Sequence, residues 1–243
     1  MSQQDTVRPR LRARHWGRRS LVPFIFTLLA IEFLDELADG SRQTAWPLVR
    51  RDLALTYTEI GLLLTVPTLA GNLIEPALGI LGDVWRRRPL VLAGGLCFTL
   101  SLLSVALSPS FLPLLLAYIL FSPASGAFVN LSQAALMDDD PSRREQNMAR
   151  WAFAGSLGIL AGSLGLGAAV SSGLGWRGWF GALAFVSLAL VWAVRRHPMT
   201  TPAHDNEPAA ETRTTWVGLK EGMRDALRAL RQREVLRWLV LLE

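Results

Sequence analysis

The apolar residues of this chain come in long blocks, and the charged residues are pushed into a few clusters between them. Six segments stand out, at residues 20–44, 58–81, 89–108, 111–136, 151–172 and 177–195. Each can cross a hydrocarbon core of about 30 Å, which takes roughly 20 helical residues. A backbone in lipid has no water to bond with, so such segments must be helices. The pattern predicts an all-α membrane protein whose body is a six-transmembrane-helix bundle over residues 20–195.

Composition agrees. Of 243 residues, 51% are hydrophobic, and the mean hydropathy of +0.29 is high for a soluble domain of this length. The net charge of +5 does not point to nucleic acid, because the basic residues flank apolar blocks and do not line one polar face. Residues 8–19 are basic and 21–31 apolar, as in a signal peptide. No small-residue cleavage site follows, however, and five more apolar blocks do, which predicts an uncleaved first span. The single cysteine, Cys97, lies in an apolar run and reads as a buried packing thiol.

Arg and Lys set the orientation. The 1–19 arm, the 2–3 loop, the 4–5 loop and the segment after span 6 hold 21 of them, against 4 on the other side. This predicts a cytoplasmic N-terminus in a bacterial-type inner membrane. Trp16, Trp85, Trp151 and Trp192 fall near the inner boundary and Trp46, Trp176 and Trp179 near the outer one, where interface anchors belong. Residues 196–234 read as a cytoplasmic linker. Within it, 216–232 have the pattern of an amphipathic helix, either on the membrane surface or as an ordinary soluble linker helix. Residues 235–243 begin another apolar run, too short to cross, and read as the start of a truncated seventh span.

Span 1 carries acid. In "IEFLDELADG", Glu32, Asp35, Glu36 and Asp39 fall at i, i+3, i+4 and i+7, one face of a helix. An ionised carboxylate at mid-membrane costs at least about 2.5–3.5 kcal/mol, so this stripe must face water, pair with cations or carry protons. Glu32 lies nearest the midplane, and Asp39 is near the outer third. Glu32 and Asp35 are the first candidates for proton coupling or substrate charge, with Asp39 and Glu75 next. Glu36 reads as a paired structural charge. Gly40 and Ser41 are expected to break or bend the helix. In span 2, Thr65, Thr68, Asn72, Glu75 and Gly79 form a second polar stripe, flanked by Pro67 and Pro76. Asn72 and Glu75 fit either a cavity lining or satisfied packing polars.

Other chemistries find no support. Ser125 in "PASGAF" invites comparison with an intramembrane serine protease, but His15, His197 and His204 all lie outside the spans, so Ser125 reads as a packing residue and the chain as no enzyme. No phosphate-binding loop, cofactor motif or metal-ligand cluster appears in the sequence.

The most specific string is "GILGDVWRRRP", residues 79–89. It resembles the loop 2–3 signature of the major facilitator superfamily, roughly G-x-x-x-D-R-x-G-R-R, at Gly79, Asp83, Arg87 and Arg88. Val84 and Arg86 stand where that family prefers Arg and Gly. "GWRGWF" at 175–180 resembles the family's short outer turn. Span 5, with Ala154, Gly158 and Gly162 spaced for close helix approach, is similar to the glycine-rich fifth span of its drug/proton antiporter branch. The proline usual in that span and the arginine often found in span 4 are absent. The resemblance covers essentially the whole chain, as the N-terminal half of a twelve-span transporter missing its C-terminal six-span half.

That resemblance implies a secondary transporter exporting small organic compounds in exchange for protons, with Gly79, Asp83, Arg87 and Arg88 as a conformational gating loop. The expected partners are a small-molecule substrate, protons and the lipid bilayer, with no cofactor and no nucleic acid. A metabolite uptake carrier of the same fold and a non-transporting six-span protein are the alternatives.

Overall fold

A computed structural model describes residues 18–84, 87–139 and 141–196. The linker, the 216–232 helix and the seventh-span reading lie outside the described residues, as do Trp16 and Trp85. Six α-helices follow one another: α1 (Arg18–Asp52), α2 (Tyr57–Val84), α3 (Arg87–Leu107), α4 (Phe111–Asp139), α5 (Arg144–Ser171) and α6 (Gly175–Arg196). A 3-10 turn, Pro141–Arg143, leads into α5. Each sequence-derived span coincides with one helix, with 89–108 and 151–172 running one residue past the ends of α3 and α5, and short turns make neighbours antiparallel.

Local chemistry fixes the turns. At the start of α2, Thr56 Oγ1 accepts from the Glu59 amide at 3.2 Å while the Thr56 amide donates to Glu59 Oε2 at 2.8 Å, a reciprocal capping box. At the α5–α6 turn, Gly173 and Gly175 both have positive φ, 83° and 69°, which only glycine adopts without cost.

α1 packs along α5, α2 along α4, and α3 against both α4 and α6, with α1 also touching α6. Exchanging the first three helices for the last three turns the α1–α5 contact into α4–α2, so the pattern carries a pseudo-two-fold. Small residues make the approaches possible. A Cβ on Gly158 would sit 2.5 Å from the Phe33 carbonyl oxygen, and one on Gly162 would strike the Leu37 carbonyl. Gly94 and Gly95 do the same for α3, against Ala127 and between Val191 and Phe128. Hydroxyls finish the seams: Ser41 Oγ lies 3.1 Å from Gly162 O, and Thr99 Oγ1 lies 2.8 Å from Ser187 Oγ.

Five helices, α2 to α6, are long and apolar enough to cross a membrane. They expose large apolar side chains outward, including Leu73 at 80% and Phe185 at 74%. Such a surface is at home against lipid, and in water it would drive association. α1 is the exception, because it carries the four acids. Its 35 residues span about 52 Å, so it reaches well past a single bilayer core.

Several expectations need correction. α1 neither breaks nor bends out of helix at Gly40 and Ser41. The glycine lets the Ile159 backbone close in, and Ser41 Oγ bonds back to Leu37 O at 2.7 Å. α2 likewise continues through Pro67 and Pro76. Cys97 is exposed, on the outward face of α3 with Leu96 and Leu100. Trp151 and Trp176 are buried core residues. Trp176 Nε1 and Trp179 Nε1 donate to Asp52 and Ser41 at 3.0 and 2.7 Å, so both indoles find their polar partners on α1. Gly79 has open space around it, whereas Gly82 takes the close contact with Leu131. The α1–α5 seam uses Gly155, Gly158 and Gly162, while Ala154 is only half-buried beside them.

Away from the arginine-rich end, Asp52 at the tip of α1 accepts from Trp176 and Arg177 on α6, and Arg177 also donates to Ser108 O at 3.1 Å. Asp52 and Arg177 together thus tie α1, the α3–α4 turn and α6. Asp52 lies beyond span 20–44, and the hydrogen bonds from Trp176 and Arg177 hold its carboxyl below the ordinary range. A lowered carboxyl stabilises the fold fully above the unfolded value near 4 and loses that contribution as pH falls through the lowered value.

Two tests follow from this packing. Gly158→Ala and Gly162→Ala each add a methyl against backbone, an overpacking cost of about 1–3 kcal/mol that exceeds the helix-propensity gain of up to about 1 kcal/mol. Both should melt below wild type in detergent, while Gly167→Ala, which meets open space, should not. For the clamp, Asp52→Asn should melt lower than wild type at pH 7, and the gap should close as the pH is taken below about 3–4. A gap that stays constant with pH would remove the ionised carboxylate from the account.

Candidate functional site

The acid stripe on α1 is about 100° wide at 3.6 residues per turn, and two neighbours divide it. Glu32 and Glu36 form the edge toward α5. A Cβ on Gly155 would lie 2.7 Å from Glu32 Oε1, and one on Gly158 would lie 2.8 Å from Glu36 Cβ. Asp35 and Asp39 form the other edge and turn toward α2 and α4.

Between α1, α2 and α4 this leaves a cavity of about 190 Å³. α1 contributes Asp35, Glu36, Asp39 and Arg42, and α2 contributes Pro67, Thr68 and Glu75. α4 supplies Phe121, Ser122 and Ser125. Ser125 Oγ donates to Asp35 Oδ1 at 2.8 Å. Gly126 makes room for Glu75, whose Cγ would lie 2.7 Å from an added Cβ, and Gly71 makes room for Ser122. Asp39 is held by Arg42 and by Gln43 Nε2 at 2.6 Å. The Arg42 guanidinium also lies 5.8 Å from both the Tyr118 and the Phe121 ring centroids. Of the four carboxylates lining the cavity, Arg42 thus pairs with Asp39. Among the described residues, no cationic side chain pairs with Asp35, Glu36 or Glu75.

Of the residues singled out in the sequence, Asp35, Asp39 and Glu75 meet at this cavity. Glu32 does not line it: the side chain is 7% exposed and lies in the α1–α5 seam. Glu36, read as a structural charge, does line it. Asn72 is exposed on α2, outside the lining. Ser125 is a partner of Asp35 rather than a plain packing residue. Ser122, Phe121 and Arg42 were not picked out by sequence reasoning. Their signal was a serine pair at i, i+3 next to an aromatic in span 4, and a cation three residues beyond Asp39. No group of three or more His, Cys, Asp or Glu side chains among the described residues is placed to hold a metal ion.

At the arginine-rich end, Arg87 is 5% exposed. It donates to Gly82 O at 3.2 Å and to Asp138 Oδ2 at 2.5 Å, and Arg144 lies 3.5 Å from the other Asp138 oxygen. Arg88 donates to the Arg195 carbonyl. The Asp83 side chain lies outside the described residues, and Gly79 is exposed, with open space where a Cβ would sit. The arginines of this loop thus bind α2, α4 and α6 of the same bundle.

Comparison with known proteins fits this architecture. The family model of the Major Facilitator Superfamily matches residues 15–242. A chloramphenicol resistance protein of Pseudomonas aeruginosa is 30% identical over 178 residues, covering 72% of this chain and 42% of that protein. A fosmidomycin resistance protein of Escherichia coli strain K12 is 30% identical over 174 residues, covering 68% of this chain and 42% of that protein. The chain therefore spans less than half the length of these curated relatives. With a helical bundle of apolar helices and a match along nearly its whole length, the chain belongs to the Major Facilitator Superfamily of membrane transporters.

Proposed function

We propose that this chain forms one half of a proton-coupled exporter of small organic compounds. The half works with a second six-helix half and alternates access to a site between them. The observation that carries this reading is the cavity between α1, α2 and α4, where Asp35, Glu36 and Glu75 have no cationic partner among the described residues. Carboxylates in that position inside a membrane bind either protons or a cationic group, and exchanging one for the other couples the two fluxes. The two relatives named for resistance favour export over uptake. The excess of Arg and Lys on the odd-numbered connections' far side supports a cytoplasmic N-terminus and an inner-membrane setting.

Cavity placement reorders the candidates. Asp35, bonded to Ser125, and Glu75, opposite it on α2, are the first choices for coupling. Glu36 joins them, Asp39 is committed to Arg42, and Glu32 supports the α1–α5 seam. The loop arginines Arg87 and Arg88 brace their own half.

The test is transport by the protein at its full natural length in everted vesicles, energised by an imposed pH gradient, with chloramphenicol and fosmidomycin as first trial compounds. Asp35→Asn and Glu75→Gln should each weaken proton-driven accumulation by at least about fivefold, with protein levels unchanged. Asn72→Ala should leave it intact. Proton-driven accumulation undiminished in both acid variants would defeat the coupling assignment. Accumulation only when the gradient is reversed would identify an uptake carrier instead.

A further inference from the structure

Arg42 is an unusual occupant for a cavity that reads as a cation or proton site. It is the only cationic side chain lining that cavity among the described residues. Its guanidinium is ion-paired with Asp39 and lies 5.8 Å from the centroids of two rings, Tyr118 and Phe121. That distance is within the range of a cation–π contact for both. Its Nε is buried without a hydrogen-bond partner. The rings form a fixed shelf. Tyr118 is 2% exposed and packs at 5.7 Å from Trp46, and Phe121 packs at 4.9 Å from Phe98. One carboxylate and two aromatic faces are the features that recognise an organic cation. In this structure a side chain of the protein itself uses all three.

We propose that Arg42 is a tethered competitor, a built-in cation that rests on the Asp39–Tyr118–Phe121 shelf and yields it to an aromatic organic cation when one enters the cavity. This rests on the cavity being the substrate site, as proposed above. Two physical consequences follow. The ligand must displace an ion pair, so the site discriminates against cations too weak or too small to hold both the carboxylate and the rings. The guanidinium also repels an incoming cation until it moves, so the resident charge sets the affinity rather than the chemistry of coupling. Asp35 and Glu75 remain available on the other walls while Arg42 is seated, and so the acids assigned to coupling differ from the acid assigned to the shelf.

The experiment is equilibrium binding of the tetraphenylphosphonium cation to the purified full-length protein at one fixed pH. A neutral aromatic amide, chloramphenicol, serves as the second ligand. Arg42→Ala and Arg42→Gln remove the competing charge and should bind the cation about tenfold more tightly than wild type, the scale expected for one cation–π contact and one ion pair set free. Neither should change its affinity for the neutral amide by a comparable factor. Arg42→Lys keeps a cation and should stay near wild type. Asp39→Asn should weaken binding in the Arg42→Gln background.

Arg42→Gln is included because it keeps much of the side-chain length if the alanine variant fails to fold. Cation binding unchanged or weaker in Arg42→Gln, together with binding lost in Asp35→Asn, would overturn the competitor while leaving the cavity as the substrate site. Binding insensitive to Asp35, Asp39 and Glu75 alike would overturn both.

Discussion

Everything in this bundle depends on covering α1. A helix with four carboxylates in eight residues cannot face lipid, so the other helices are arranged around it. α5 takes one flank through Gly155, Gly158 and Gly162, α6 covers the C-terminal stretch of α1 through Trp176 and Trp179, and α4 offers Ser125 to Asp35. The glycine seam is what makes the geometry work. Its close approach brings the α1 backbone against α5 and rotates the Asp35–Asp39 edge toward α2 and α4. A bulkier seam would push α1 outward, and the cavity would lose its walls.

The two ends of the bundle are pinned by different chemistry. Asp52 gathers Trp176 and Arg177 at one end, and Arg87 gathers Gly82 and Asp138 at the other. Both are networks within a single half. Such pinning suits the proposed alternating access, in which this bundle would rock as one body against a second half. The apolar outer faces of α3 and α6 then sit in lipid, while the acid cavity lies on a different flank, between α1, α2 and α4.

The spans were legible because long apolar runs admit little besides helices in a bilayer, and the family was legible from the 79–89 string. The site was only half legible. Periodicity placed four acids on one stripe, but a stripe about 100° wide can straddle two neighbours. Nothing in the sequence says that α5 takes the Glu32 edge and α4 the Asp35 edge. Depth along the helix ranked Glu32 first, whereas the direction of the side chain placed it in a seam. The small-residue pattern was similarly off by one position: Ala154 fits a four-residue repeat, yet Gly155 meets Glu32. Tryptophan position suggested interface anchors because the indole N–H wants a polar partner, and for Trp176 and Trp179 the fold supplies one from α1, Asp52 at its tip and Ser41 within the bundle. Arg42 drew no functional reading from the sequence, since only the fold brings Tyr118 and Phe121 beneath it.

The central claim is that the cavity acids hold protons which a ligand replaces. It is tested most directly by measuring protons released into weakly buffered solution when the purified full-length protein is saturated with an organic cation. The account predicts release that saturates with binding and is lost when Asp35 and Glu75 are both made neutral. Saturable binding with no proton release from the wild-type protein would contradict it.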